Sequence, residues 1–189
     1  FREFLEFHFE NGKLPKNLEF IAVNLRESLE LAIKKNDPKI FYNRLVSTQI
    51  KIASELPKIK KILDSYLIKG GYPGVLEFGE DYNKCLERIK TDLELTVFKD
   101  IYKIFNTRNT SDIMQLLVLL ASSSGQKINY ARLGSVIGID RRVVSDYISY
   151  TEKVYLTVTS PAYKLSKYKQ AEKSDKIYLI DVGHRNALL

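Results

Sequence analysis

Ile128-Asn129-Tyr130-Ala131-Arg132-Leu133-Gly134-Ser135-Val136-Ile137-Gly138-Ile139-Asp140 is the stretch on which the fold of this chain turns. It reads as a short apolar-periodic helix that stops at a glycine, followed by a second helix from Asp140 through Lys153. Gly138 stands where a helix C-cap takes the left-handed conformation that glycine adopts without steric cost. Asp140 is a good N-cap, with a side-chain oxygen placed to accept from the amide of Arg142 or Val143. Val144, Tyr147, Ile148 and Thr151 recur at i, i+3, i+4 and i+7, which predicts the buried face of the second helix. Arg141, Arg142, Ser145 and Ser149 then project away from that face. Val154-Tyr155-Leu156-Thr157-Val158-Thr159 and Ile177-Tyr178-Leu179-Ile180 read as strands, separated by a turn at Ser160-Pro161-Ala162-Tyr163 and a loop carrying Lys164, Lys167, Lys169, Lys173 and Lys176. Together these segments predict a winged helix-turn-helix. In such a module the start of the second helix meets base edges or phosphates, and a lysine-rich wing can track a phosphate backbone. The competing reading of the lysine run is a solvated loop.

Outward from this segment the pattern is helical. Ala22 to Asn36 places Leu25, Leu29 and Ile33 on one face, and Asp37-Pro38 breaks it. Helices are expected over Phe41–Ser54 and Pro57–Leu67, the latter with proline in the first turn, where a missing amide costs little. Ile68-Lys69-Gly70-Gly71-Tyr72-Pro73-Gly74 is a glycine-rich turn. A long helix over about Asp81–Phe105 carries Leu86, Ile89, Leu93, Val97 and Ile101, and Ser111–Ser122 is strongly apolar. The expected fold class is therefore mainly α with a small β wing. A helical lid or linker region spans 1–106, and a winged-helix domain spans 107–189 with the start of a further domain. Phe1-Arg2-Glu3-Phe4 begins inside a helical pattern and Asp181-Val182-Gly183-His184 opens another, so the chain is expected to be part of a longer polypeptide.

Composition narrows the function classes. The chain has 189 residues, 44% of them apolar, enough for a core and room for one domain or two small ones. It contains no run near the roughly 18–20 apolar residues of a membrane span. The single cysteine, Cys85, rules out an internal disulfide framework and fits a reducing cytoplasmic setting. The net charge of +7 favours an acidic partner such as nucleic acid. His8 and His184 are the only histidines, and neither stands at metal-ligand spacing with Cys85. No glycine-rich loop ends in the Gly-Lys-Ser/Thr of a phosphate loop, because Gly12-Lys13 runs on into Leu14. Ile177 to Asp181 superficially resembles a Mg²⁺-binding strand, but the simpler reading is a strand that ends at a turn. No catalytic constellation, metal site or cofactor site is expected in this chain.

Several segments carry a resemblance in collinear order: Phe1-Arg2-Glu3-Phe4-Leu5, Tyr66-Leu67-Ile68-Lys69-Gly70-Gly71-Tyr72-Pro73, Asp92-Leu93 with Asp100-Ile101, Leu119 to Asn129, Gly138-Ile139-Asp140, and Lys176 to Gly183. They are similar to a prokaryotic, archaeal-type family of AAA+ superfamily P-loop ATPases whose C-terminal region contains a winged helix and a nuclease-like fold. The resemblance implies that this chain matches the middle of such a protein, with the ATP- and Mg²⁺-binding residues upstream and an acidic nuclease-like motif downstream. It also implies that Gly70, Gly71 and Pro73 form a signature turn joining the lid to the long helix. Lys69 and Arg88 are the two cations near that turn to weigh as nucleotide sensors.

Two functional expectations follow from different classes. In one, the chain is the nucleic-acid-binding arm of such an ATPase, with Arg141, Arg142, Ser145, Lys164, Lys167, Lys169 and Lys173 as contacts. In the other, it is an interaction module packed between the ATPase and C-terminal domains, with no role for DNA. On that second reading Phe1, Phe4, Leu5 and Phe7 dock on a neighbouring domain and favour self-association of the isolated chain.

Overall fold

The computed structural model describes residues 2–8, 16–107, 109–161 and 175–189. The chain is mainly helical with a small antiparallel sheet, as its periodicity predicts. It divides into two compact units, Phe1–Tyr66 and Leu67–Leu189.

The first unit holds α1 (Arg2–Phe7), α2 (Lys16–Lys35), α3 (Pro38–Lys51) and most of α4 (Leu56–Lys69). Asn36 adopts positive φ after α2, and Asp37 caps α3 by accepting from the Lys39 amide at 3.0 Å, with Pro38 in the first turn. The two helices on either side of this turn pack along each other. Their contact differs from the expected one. Leu29 and Ile33 are exposed, and Ser28, Ala32 and Thr48 are buried. Small side chains let two helix backbones approach, and the larger apolar ones are left on the opposite faces. Phe4 is buried edge-on to Tyr66, with ring centroids 5.3 Å apart.

The second unit carries the main core. After a 3₁₀ turn (Pro73–Phe78), α5 (Tyr82–Leu95) starts at Asp81, whose side chain accepts from the Lys84 amide at 3.2 Å. It runs on through a π-helical segment (Thr96–Ile101) into α6 (Tyr102–Phe105), ending at Asn106 in the left-handed conformation. The π segment shifts the register without breaking the apolar stripe, so Cys85, Ile89, Leu93, Val97 and Ile101 are all buried. They pack in one cluster with Ile113, Leu116, Leu117 and Leu120 of α7 (Thr110–Ser122) and with Val144, Tyr147 and Ile148 of α9 (Arg141–Lys153). Each such aliphatic side chain contributes about 1.5–3 kcal/mol on full burial. The long helix and the helix-turn-helix thus share a core, and the compact unit begins at 67 where the sequence had suggested a division at 106/107.

Between α7 and α9 lies α8 (Tyr130–Ile137), which starts later than the sequence suggested. Residues 125–128 run from a turn at Gly125 into a β-bridge at Lys127: the Gly125 amide donates to the Ile177 carbonyl at 2.7 Å, and the Ile128 amide donates to the Asp175 carbonyl at 2.9 Å. This segment lies along β2 (Lys176–Leu179), which pairs antiparallel with β1 (Thr157–Ser160) in the register Thr157 to Leu179 and Ser160 to Lys176. The order helix, bridged segment, helix, helix, strand, strand is that of a winged helix-turn-helix. β2 then leads into α10 (Val182–Leu188), which packs on α5 and α7. Among the described residues, no helix is long and apolar enough to cross a membrane.

Candidate nucleic-acid interface and the glycine turn

The turn before α9 forms as its residues dictate. Gly138 closes α8 at φ 85°, ψ 28°, and its amide donates to the Gly134 carbonyl at 2.8 Å. Asp140 caps α9 by accepting from the Arg142 amide at 2.7 Å. Val144, Tyr147, Ile148 and Thr151 are buried, which rotates Arg141 and Arg142 into solvent and leaves Ser145 half-buried. Among the described residues neither arginine forms an ion pair.

The acidic residues of α9 are largely occupied. Asp140 caps the helix, and the Glu152 carboxylate accepts from the Thr159 amide of β1 at 2.8 Å, so Asp146 is the remaining exposed acid. Lys153 lies over the Phe105 ring, which stacks on Tyr150 at 4.1 Å between centroids. At the root of the wing, Lys127 and Lys176 face each other across a β-bridge and are both exposed. Lys164, Lys167, Lys169 and Lys173 lie outside the described residues.

The other sequence signal, the glycine turn, proves to be half of a joint whose second half is the start of α10. Gly70 sits at φ 73° with its Cα against the Asp181 carboxylate; a Cβ there would lie 1.8 Å from Oδ1. Asp181 accepts from the Gly71 amide at 2.9 Å through one oxygen and caps α10 through the other, 2.7 Å from the Gly183 amide. Gly183 is equally constrained, since a Cβ there would meet the Lys69 carbonyl oxygen at 2.3 Å. The Asn186 amide group donates to the carbonyls of Leu67 and Ile68 at 2.9 and 2.7 Å, closing the exposed end of α4. Asp181 is thus engaged with backbone amides, and the simpler reading of the strand–turn accounts for it. Pro73 occupies the first position of the 3₁₀ turn.

Lys69 is turned inward, 2% exposed, with Nζ donating to the Gly79 carbonyl at 2.5 Å. Arg88 is exposed and pairs with Asp92 one turn on, at 3.0 Å. Neither placement leaves a cation waiting for a nucleotide. Burial raises the Tyr72 phenol above its ordinary pKa, helped by the Asp92 charge and by a hydrogen bond to Asp92. His184 packs on Tyr72 with ring centroids 5.9 Å apart, and its buried Nδ1 has no hydrogen-bond partner. Burial lowers the His184 pKa, opposed by the charges of Asp181 and Asp92. No group of three or more His, Cys, Asp or Glu among the described residues is placed to hold a metal ion.

No curated protein and no solved structure matches the chain. One family model matches, over residues 60–189, a span that takes in the glycine turn, the long helix, the winged helix and α10. The chain therefore belongs to the DUF8612 family, a domain of unknown function.

Proposed function

We propose that the second unit is a nucleic-acid-contacting arm of a larger P-loop ATPase of the kind the sequence resembles, with Arg141 and Arg142 on the phosphate backbone. The observation that carries this reading is the first turn of α9, where two exposed arginines stand free of carboxylate partners among the described residues. A winged helix that binds nucleic acid presents this turn to the groove or the backbone. Lys127 and Lys176 extend the same charge at the root of the wing. The joint between the glycine turn and α10 supports the larger assignment, since it ties the wing to the long helix as one body able to pass on a movement. Fluorescence anisotropy with a labelled duplex at low salt tests the proposal. The wild-type chain binds, and the Arg141→Ala/Arg142→Ala double variant loses most of that affinity while keeping its circular dichroism. If neither duplex nor single strand shifts at low salt, the proposal falls.

A second reading, an interaction module, rests on the apolar surface of the first unit. Phe20, Ile33 and Ile50 are 70%, 72% and 75% exposed on α2 and α3. Phe7 of α1 is also exposed, but Phe4 is already buried within the unit, which moves the candidate docking surface from the amino-terminal helix to α2 and α3. This reading predicts concentration-dependent self-association in sedimentation runs, abolished by Ile33→Glu with Ile50→Glu. Strictly monomeric behaviour of the wild-type chain would remove it.

A further inference from the structure

Outside the α9 surface and the glycine turn, the second unit holds a cleft of about 270 Å³ between the end of α7, residues 126–129, α8 and β2. Its apolar lining includes Leu120 and Ile177, both almost wholly buried, with Leu119, Leu133 and Val136 around them. Its polar lining includes Lys127 and Arg132, and among the described residues no aspartate or glutamate contributes to it. Neither cation forms an ion pair among the described residues. The hydroxyls of Ser122 and Ser123 both donate to the Leu119 carbonyl, at 2.9 and 2.7 Å, which leaves their oxygens as acceptors. Asn129 accepts from the Arg132 amide at 2.9 Å and so anchors the start of α8 beside the cleft.

We propose that this cleft binds a small organic anion with a short unbranched apolar tail, of the alkyl carboxylate class. Two cations that form no ion pair among the described residues, in a lining that holds no acid, select a negative group, and a guanidinium meets a carboxylate with two parallel hydrogen bonds. The lining of leucine, valine and isoleucine excludes a bare inorganic anion as the best occupant, because those surfaces gain only from covering carbon. The volume lies just under the 300–1,000 Å³ usual for drug-sized ligands, which sets a small molecule and not a docked helix as the occupant. Such a ligand would bridge α7, α8 and β2, and so brace the helix-turn-helix against its wing. The inference shares Lys127 with the proposed nucleic-acid surface, but Arg132 and the apolar lining lie outside α9, so the Arg132 variant tests it independently of nucleic-acid contact through Arg141 and Arg142.

The test titrates the full chain with butanoate, hexanoate and octanoate, and separately with inorganic phosphate, following backbone amides by NMR. The expected result is that shifts concentrate in residues 119–136 and affinity rises about fourfold per added methylene, so octanoate binds roughly fifteenfold more tightly than hexanoate. Arg132→Glu, at an exposed position, weakens octanoate at least tenfold, and Lys127→Ala weakens it less. Affinity independent of chain length, phosphate binding as tightly as octanoate, or shifts scattered over α2 and α3 would each overturn the proposal. So would an Arg132→Glu variant that binds octanoate as the wild-type chain does.

Discussion

Replacing Gly70 by alanine probes the joint between the glycine turn and α10 at its tightest point. The residue sits at φ 73°, where an L side chain costs about 1–2 kcal/mol. The added Cβ would fall 1.8 Å from Asp181 Oδ1 and 2.7 Å from the Gly183 amide nitrogen, so the carboxylate must move. Moving it breaks at least one of its two amide hydrogen bonds, each worth about 1.5–3 kcal/mol because the acceptor is charged. The sum is a loss of about 2.5–5 kcal/mol, or a fall in melting temperature of roughly 5–20 °C for a chain of this size. Gly138→Ala supplies the internal control. Its φ is also positive, at 85°, but a Cβ there meets nothing within 4 Å, so it carries only the same conformational cost of about 1–2 kcal/mol. Thermal unfolding followed by far-ultraviolet circular dichroism compares the two variants. If Gly70→Ala costs no more than Gly138→Ala, the Asp181 carboxylate does not sit against the turn and the joint is wrongly drawn.

Other predictions follow from single sites. Tyr155 is 78% exposed at φ 58°, at the position after the α9 cap where glycine is usual, with the Tyr155 and Leu156 amides bonded back to Glu152 and Thr151; Tyr155→Gly should stabilise the chain by about 1 kcal/mol, read as a higher melting temperature. The His184 pKa is depressed in the folded chain, so the unfolded chain takes up the proton first; stability is intact above about pH 6.5 and falls as the pH drops below it. His184→Gln should remove part of that loss, seen as a smaller drop in melting temperature between pH 7 and pH 5.5, and an unchanged drop would contradict the burial of the ring. Cys85 is wholly buried, its thiol donates to the Val75 carbonyl at 3.6 Å, and burial pushes its pKa up; a disulfide reagent should leave it unmodified in the native chain and react on unfolding in urea.

Local chemistry was legible in the sequence wherever one helix packed by its own periodic stripe. Val144, Tyr147, Ile148 and Thr151 are buried as their spacing predicts, and the Gly138 and Asp140 caps form as those residue types require. Ile89, Leu93, Val97 and Ile101 likewise follow their stripe, although Cys85 sits in the core where the stripe had suggested Leu86. In α2 the same logic misplaced the face, because the buried positions include Ser28 and Ala32, and small side chains give little hydrophobic signal. The bridge of residues 125–128 to β2 was hidden because it is held by backbone hydrogen bonds, which are indifferent to side chains. The sequence marked the glycine turn as special but could not say what it touches. Asp181 meets Gly71 from 110 residues away, and no pattern along the chain encodes that contact. The exposure of Arg141 and Arg142 was legible because a buried face implies an exposed one, whereas the cleft lined by Lys127 and Arg132 needed three separate elements to close around it.

The most direct test of nucleic-acid contact through α9 is the salt dependence of duplex binding. The slope of log affinity against log salt falls by about 0.9 for each phosphate contact removed. For the wild-type chain and the Arg141→Ala/Arg142→Ala variant, measured between 50 and 200 mM salt (about the range over which such slopes are resolved), the account predicts that the variant's slope is shallower by about 1.8. Equal slopes for the two proteins would show that these arginines do not touch phosphate and would contradict the account.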